Sequence, residues 1–160
     1  MDKITAASPK RLIVVDGVEA LAQSLFGDKY EHTLTTTQYD PIEDIYELEK
    51  PKWTTILGDE SSELLNFGKT IENEVLVNAI VTAKVPSNHL AHAIPYLEDI
   101  EKIKRELLGN HFTHKGNGIV ASIGNEDRPT WSTVHDIDHS GGGSVLRIQF
   151  AIVMKIHDEP

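Results

Sequence analysis

Residues 133–144 read TVHDIDHSGGGS, which places His135 and His139 with Asp136 and Asp138 inside five positions, just ahead of Gly141, Gly142 and Gly143. Imidazole and carboxylate groups are ligands for zinc, manganese and iron, and a glycine run can wrap a phosphate. Both chemistries depend on the backbone underneath. Histidines four apart converge on one ion when they sit on a helix. Here the segment is rich in Thr, Val, Ile and Trp, follows Pro129 and runs into three glycines, so it reads as a strand. On a strand His135 and His139 share a face but stand about 13 Å apart at about 3.3 Å per residue. Asp136 and Asp138, on the other face, are about 7 Å apart. Neither pair can chelate one ion by itself. A P-loop needs a lysine and a following helix, whereas SGGGS has no lysine and opens a strand, so the glycines read as a hairpin tip.

Other reactive groups are sparse. The chain has no cysteine, which removes thiolate nucleophiles, thiolate zinc sites and disulfides. No G-x-S-x-G elbow is present. Glu43, Asp44, Glu47 and Glu49 are spaced as a solvated acidic face rather than as a catalytic carboxylate pair. The histidines of HFTH, His111 and His114, could approach His135 or His139 in space, which keeps open a small metal-dependent α+β enzyme using its His-rich loops. The expectation from the residues is no catalytic residue, no metal and no cofactor.

The 160 residues suit one domain with a hydrophobic core. With 39% apolar and 25% charged residues the composition is globular. The net charge of −10, from 15 basic against 25 acidic side chains, repels phosphate backbones and anionic lipid. The early apolar run is interrupted by Asp16 and Glu19, which makes a poor signal peptide. No segment approaches the roughly 18 apolar residues of a membrane span. These features fit a protein folded in a cytoplasm.

The elements that must position these residues follow from periodicity. Leu12, Val15, Leu21, Leu25 and Phe26 recur near helical spacing, with Gly27 as the stop and Ser8–Pro9 as the start. A strand at 12–15 is the alternative, because Ile13, Val14 and Val15 are β-branched. Residues 28–68 are polar and weakly periodic, which predicts a long irregular loop or arm, with KWTTILGD as a strand within it. In TIENEVLVNAIVTAKVP, Val75, Val77, Ala79, Val81, Ala83 and Val85 alternate with a mixed set, which predicts a long strand buried on one face. A helix follows, with Leu90, Ile94, Leu97, Ile100, Ile103 and Leu107 on one stripe and Gly109 at its end. Pro95 either kinks that helix or separates its first turn. GIVASIG, RPTWSTVHDID and SVLRIQFAIVMKIH read as strands. The fold class is α+β: an antiparallel or mixed sheet with helices packed on it, ending in a long C-terminal β-hairpin.

The order of these segments resembles the tail terminator (tail completion) proteins of tailed bacteriophages. The likeness runs through NEVLVNAIVTAKVPSNHLAHAIPYLEDIEKIKRELLG and RPTWSTVHDIDHSGGGSVLRIQFAIVMKI. It includes a final strand with alternating Leu146, Ile148, Phe150, Ile152 and Met154. It covers about half of the chain and rests on pattern and order. The resemblance implies a homo-oligomeric ring, usually of six subunits, at the head-proximal end of the tail in the virion. Such a ring caps the tail tube protein, stops its polymerisation and docks a head-completion or neck protein while DNA passes through the lumen without specific binding. Another neck connector or a tail tube subunit is the nearest alternative. The family has no catalytic residues to transfer, so the candidate lumen or partner contacts are surfaces: His135, Asp136, Asp138, His139 and Gly141–Gly143 at one hairpin, and Glu43, Asp44 and Glu47 in the acidic run.

Overall fold

The alternation of 75–85 has a direct structural counterpart. In the computed structural model, which describes residues 9–35, 50–87, 90–109, 112–113, 120–123, 131–138 and 144–158, this segment is the centre of a sheet. The elements in chain order are helix α1 (Lys10–Phe26), β1 (Glu31–Thr35), β2 (Lys52–Leu65), β3 (Thr70–Val85), helix α2 (Ile94–Gly109), β4 (Phe112–Thr113), β5 (Val120–Ile123), β6 (Trp131–Asp138) and β7 (Ser144–Asp158). Among the described residues two α-helices and a sheet that is mostly antiparallel make the molecule α+β.

β3 and β7 form the spine, paired antiparallel from Ile71↔Asp158 to Val85↔Ser144. Their register sets Val75, Val77, Ala79 and Val81 beside Met154, Ile152, Phe150 and Ile148, and all eight side chains are buried. Trp53 of β2 pairs with Val81 and extends the same row. Because side chains alternate along a strand, this row is a single apolar face, and it belongs to one core cluster with Ile13, Val18 and Ala22 of α1 and Ile100, Ile103 and Leu107 of α2. Fully burying one such aliphatic or aromatic side chain contributes about 1.5–3 kcal/mol. The other face is buried as well at Ile56, Ile80, Val145 and Val153.

The choice of helix for 10–26 holds against the β-branched run. Ile13, Val14 and Val18 are sealed in the core, so tertiary burial overrides local strand propensity. The Pro9 carbonyl accepts the Leu12 and Ile13 N–H groups at 3.0 and 3.2 Å. At the other end Gly27 takes φ 52° and donates its N–H to the Gln23 carbonyl, the conformation that glycine reaches without a Cβ clash. Pro95 lies in the first turn of α2, and a separate 3-10 turn at Leu90–His92 precedes it.

The expected irregular arm at 28–68 is corrected at 28–35 and 50–68, while 36–49 lie outside the described residues. It contains a 3-10 turn at Gly27–Lys29, strand β1 and the 14-residue strand β2. β1 runs parallel to β2, from Glu31↔Lys52 to Thr35↔Ile56, so the sheet is mixed. The first half of β2 is buried and its second half exposed; pairing with β3, rather than burial, holds the second half extended. β6 lies antiparallel to β7, from Trp131↔Ile152 to Asp138↔Val145, while the connecting residues 139–143 are outside the described set. β5 pairs with β7 next to β6, through Ser122↔Lys155 and Ile123↔Met154.

Candidate interaction surfaces

The residues that first suggested chemistry fall on β6. His135 pairs with Ile148, Asp136 with Arg147 and Asp138 with Val145, so the extended backbone separates them as strand geometry requires. His111, His114, His139, Gly141–Gly143, Glu43, Asp44 and Glu47 lie outside the described residues. Among the described residues no three His, Asp or Glu side chains form a group that could hold a metal ion.

A polar cluster that sequence reasoning passed over is buried between α1, β1 and β2. Thr55 Oγ1 donates to Glu19 Oε2 at 2.5 Å, and Trp53 Nε1 donates to Thr55 Oγ1 at 3.2 Å. Gln23 Nε2 donates to Glu19 Oε1 at 3.2 Å. His32 Nδ1 stands 3.6 Å from the same oxygen, and its Nε2 is 3.0 Å from the Gly27 carbonyl. A carbonyl can only accept, so Nε2 carries the proton. Burial raises the Glu19 carboxyl above the ordinary carboxylate range, against the lowering effect of the Thr55 and Gln23 hydrogen bonds. The side chains of His32 and Glu19 are only 11% and 6% exposed. The cluster braces β1 and β2 against α1.

A second brace ties the start of β1 to α2. Tyr30, itself buried, donates its hydroxyl to Asp99 Oδ2 at 2.5 Å, and Lys29 Nζ meets the same oxygen at 2.5 Å. Burial, then the Asp99 carboxylate, pushes the Tyr30 phenol far above its usual value. Tyr30 also sits in an aromatic group with Phe26 at 5.7 Å, Trp53 at 5.5 Å and Tyr96 at 6.4 Å between ring centroids. These spacings suit edge-to-face and tilted contacts.

The exposed surfaces are different in kind. Between Leu57↔Val77 and Glu60↔Val75 the β2–β3 register shifts by one, leaving Gly58 and Asp59 opposite Leu76. Such a bulge bends the strand and strengthens its twist. A side chain at position 58 is excluded, because a Cβ would lie 2.1 Å from the Leu76 carbonyl oxygen. The Gly58 carbonyl accepts from Arg11 Nε at 2.9 Å and from the second guanidinium nitrogen. Beside the bulge, a depression of about 210 Å³ is lined by Ile56, Leu76, Asn78 and Gln149, with Asp59 its one ionisable group among the described residues. A single carboxylate offers no acid–base pair.

Beyond the bulge β2 and β3 continue as a hairpin whose β2 side is exposed. Ser62 Oγ donates to Asn73 Oδ1 at 2.6 Å across it. At its tip Asn66, Phe67 and Gly68 take φ values of 54°, 59° and 84°, with Gly68 N–H on the Leu65 carbonyl at 3.1 Å. Asn and Gly adopt positive φ readily; a bulky phenylalanine does so at a cost. The Phe67 side chain is fully in solvent and Leu64 is 65% exposed. The Asn-x-Gly signature of 66–68 was the available sequence signal for this turn.

The remaining exposed apolar side chains are on and around α2. Leu90 is 67% exposed, and Ile94 and Leu108 are both 43% exposed. The expected stripe therefore holds at Ile100, Ile103 and Leu107, which are buried, and fails at its first two members. Leu90 belongs to the 3-10 turn, where 3.0 residues per turn replace 3.6 and the helical phase is lost. Ile94 is the first residue of α2.

No described helix is long and apolar enough to cross a membrane. Compared with protein-family models and with curated proteins, the chain matches none.

Proposed function

We propose that this protein is a structural virion component that assembles as a ring, caps the tail tube of a tailed phage, stops its polymerisation and joins the tail to the neck. The observation that carries the reading is the spine: β3 paired with β7 along its length, α2 docked on the apolar face, and β6 beside β7. This is the element order on which the resemblance to tail terminators rests. Leu146, Ile148, Phe150, Ile152 and Met154 are all buried on β7, as that pattern requires.

Two further features support it. A net charge of −10 suits a channel wall past which DNA slides without adhering. Glu19 and Asp99 serve as braces between elements, and the described apolar exposure sits at positions a neighbour can reach. In this reading the ring is a homo-oligomer with head-to-tail contacts, its partners are the tail tube protein and a head-completion or neck protein, and it resides at the head-proximal end of the tail.

Size-exclusion chromatography with light scattering, together with negative-stain imaging of the protein mixed with tail tubes, tests the proposal. The expected result is a closed ring with a central hole, formed alone or on tube ends, and tubes of fixed length when it is present. A protein that neither closes into a ring nor changes tube length would refute it.

A further inference from the structure

His32 has one ring nitrogen that its surroundings leave unmatched. Nε2 donates its proton to the Gly27 carbonyl at 3.0 Å. A neutral imidazole holds one proton, so Nδ1 is then a bare acceptor. It is buried, and among the described residues it has no hydrogen-bond partner. The atom it faces is Glu19 Oε1 at 3.6 Å, beyond hydrogen-bond range. That oxygen is an acceptor too whenever the carboxyl is ionised. Two buried lone pairs aimed at each other are unfavourable, because each acceptor has lost water and gained no donor.

One proton placed between them removes the mismatch. It can sit on the carboxyl and be donated to Nδ1, or sit on Nδ1 and be donated to the carboxylate. The geometry accepts both forms, so the proton belongs to the pair. The other donors at Glu19 are already aimed elsewhere on the carboxyl. Thr55 Oγ1 donates to Oε2 and Gln23 Nε2 to Oε1, while the Trp53 indole N–H goes to Thr55.

The surrounding charges do not replace that proton. Burial, the main influence, and the Asp16 charge on the same helix both oppose ionisation of Glu19. Glu31 and Lys52, paired positions of β1 and β2, alternate to the face opposite His32 and Trp53. Asp99 of α2 is engaged by Lys29 and by the Tyr30 hydroxyl. Asp28 is exposed, and its carbonyl accepts from Lys50 at 3.2 Å. The β3 members of the shared core, Val77, Ala79 and Val81, carry no charge.

The pair also stands at a joint. β1 has five residues, lies at one end of the sheet order and, among the described strands, pairs with β2 alone. His32 is its second residue and ties it to α1 through Glu19. We propose that Glu19 and His32 form a one-proton latch that holds β1 on α1, closed while the pair keeps the proton and released when the proton leaves. Closing draws Nδ1 and Oε1 from 3.6 Å to the roughly 2.7–2.9 Å of a charge-assisted hydrogen bond. Release loosens β1 and uncovers positions 52–56 of β2, to which it is paired. The direction with pH follows from the carboxyl, which burial raises above 4.5. The latch is fully closed at acid pH and opens as pH rises through the folded value.

Hydrogen exchange of the full-length protein, followed by NMR from pH 4.5 through neutrality, tests the latch. Protection factors of the β1 amides, corrected for intrinsic exchange, are expected to fall about tenfold as pH rises, the worth of one charge-assisted hydrogen bond. Amides at 61–72 in the hairpin beyond the bulge hold theirs, because their opening leaves the latch closed. In Glu19→Gln an amide N–H stands permanently where the shared proton was, so β1 protection stays level. Nitrogen-15 shifts of the His32 ring follow the proton itself: Nε2 stays protonated throughout, and Nδ1 changes in step with the β1 amides. Constant β1 protection in the parent protein, an equal fall in Glu19→Gln, or a fall shared by the hairpin amides would overturn the latch. So would a ring that keeps its proton on Nδ1 and loses it from Nε2. If Glu19→Gln does not fold, the parent's ring shifts and β1 amides decide by themselves.

Discussion

β2 and β3 are two strands with two lives, divided at Gly58. Before the bulge, positions 52–56 of β2 are buried, facing 78–82 of β3, and α1 and α2 join them in one core. After it, positions 59–64 of β2 are exposed, although the same antiparallel ladder continues to Leu65↔Thr70. The first half is held by burial and the second by hydrogen bonding and by β7, which follows β3 to Ile71↔Asp158. A two-stranded ribbon alone is marginal in water; the third strand makes the extension rigid enough to project. Length beyond the core is thus a surface, and the two halves should respond differently to the same kind of substitution.

The sharpest way to break the comparison is inside the core. Phe150→Ala removes a fully buried ring that lies 5.7 Å from Trp53, and is expected to cost about 3–5 kcal/mol. Chemical denaturation measures it; a loss under 1 kcal/mol would mean that the β3–β7 row is not the main source of stability. The boundary comes next. Gly58→Ala forces a Cβ toward the Leu76 carbonyl and should cost about 1–3 kcal/mol, with amide exchange rising around the bulge first.

A third experiment separates a buried charge from the burial around it. Because burial raises the Glu19 carboxyl above 4.5, the folded state holds this proton more tightly than the unfolded one. The stability it contributes is full below about pH 4.5 and declines as pH rises through the folded value. Glu19→Gln removes that decline: relative to the parent protein the variant should gain stability from pH 4.5 to neutrality and show little difference below. Melting temperatures across that window check the sign, and a variant that loses ground as pH rises would refute it. The smallest effect belongs to the tip. Phe67→Asn should leave the isolated chain unchanged or more stable by up to about 1 kcal/mol, since it relieves a strained φ and removes no internal contact.

Legibility in the sequence followed the same division. The alternation Val75, Val77, Ala79, Val81 announced β3, and Leu146, Ile148, Phe150, Ile152 and Met154 announced β7, because one-sided burial writes a period of two into a strand. The stripe Ile100, Ile103, Leu107 announced α2 for the corresponding reason at period 3.6. The far half of β2 wrote no such signal: DESSEL (59–64) is exposed on both sides, and a strand held by pairing alone looks like a loop. β1 was unreadable because its parallel partner lies across residues 36–51 and no local turn chemistry marks a parallel pair.

The candidate site divides along similar lines. The expectation that His135 and His139 do not share an ion used only residue types and a rise of about 3.3 Å, and His139 lies outside the described residues. The acidic balance and the absence of cysteine, which bound the available chemistry, were equally plain. Only the tertiary structure put Glu19, His32 and Thr55 into one sealed cluster across three elements, since those positions carry no shared periodicity. Only it exposed Leu90 and Ile94, which a stripe of helical spacing had assigned to the core. Periodicity reports which side chains share a face of one element; what covers that face depends on where the neighbouring elements end.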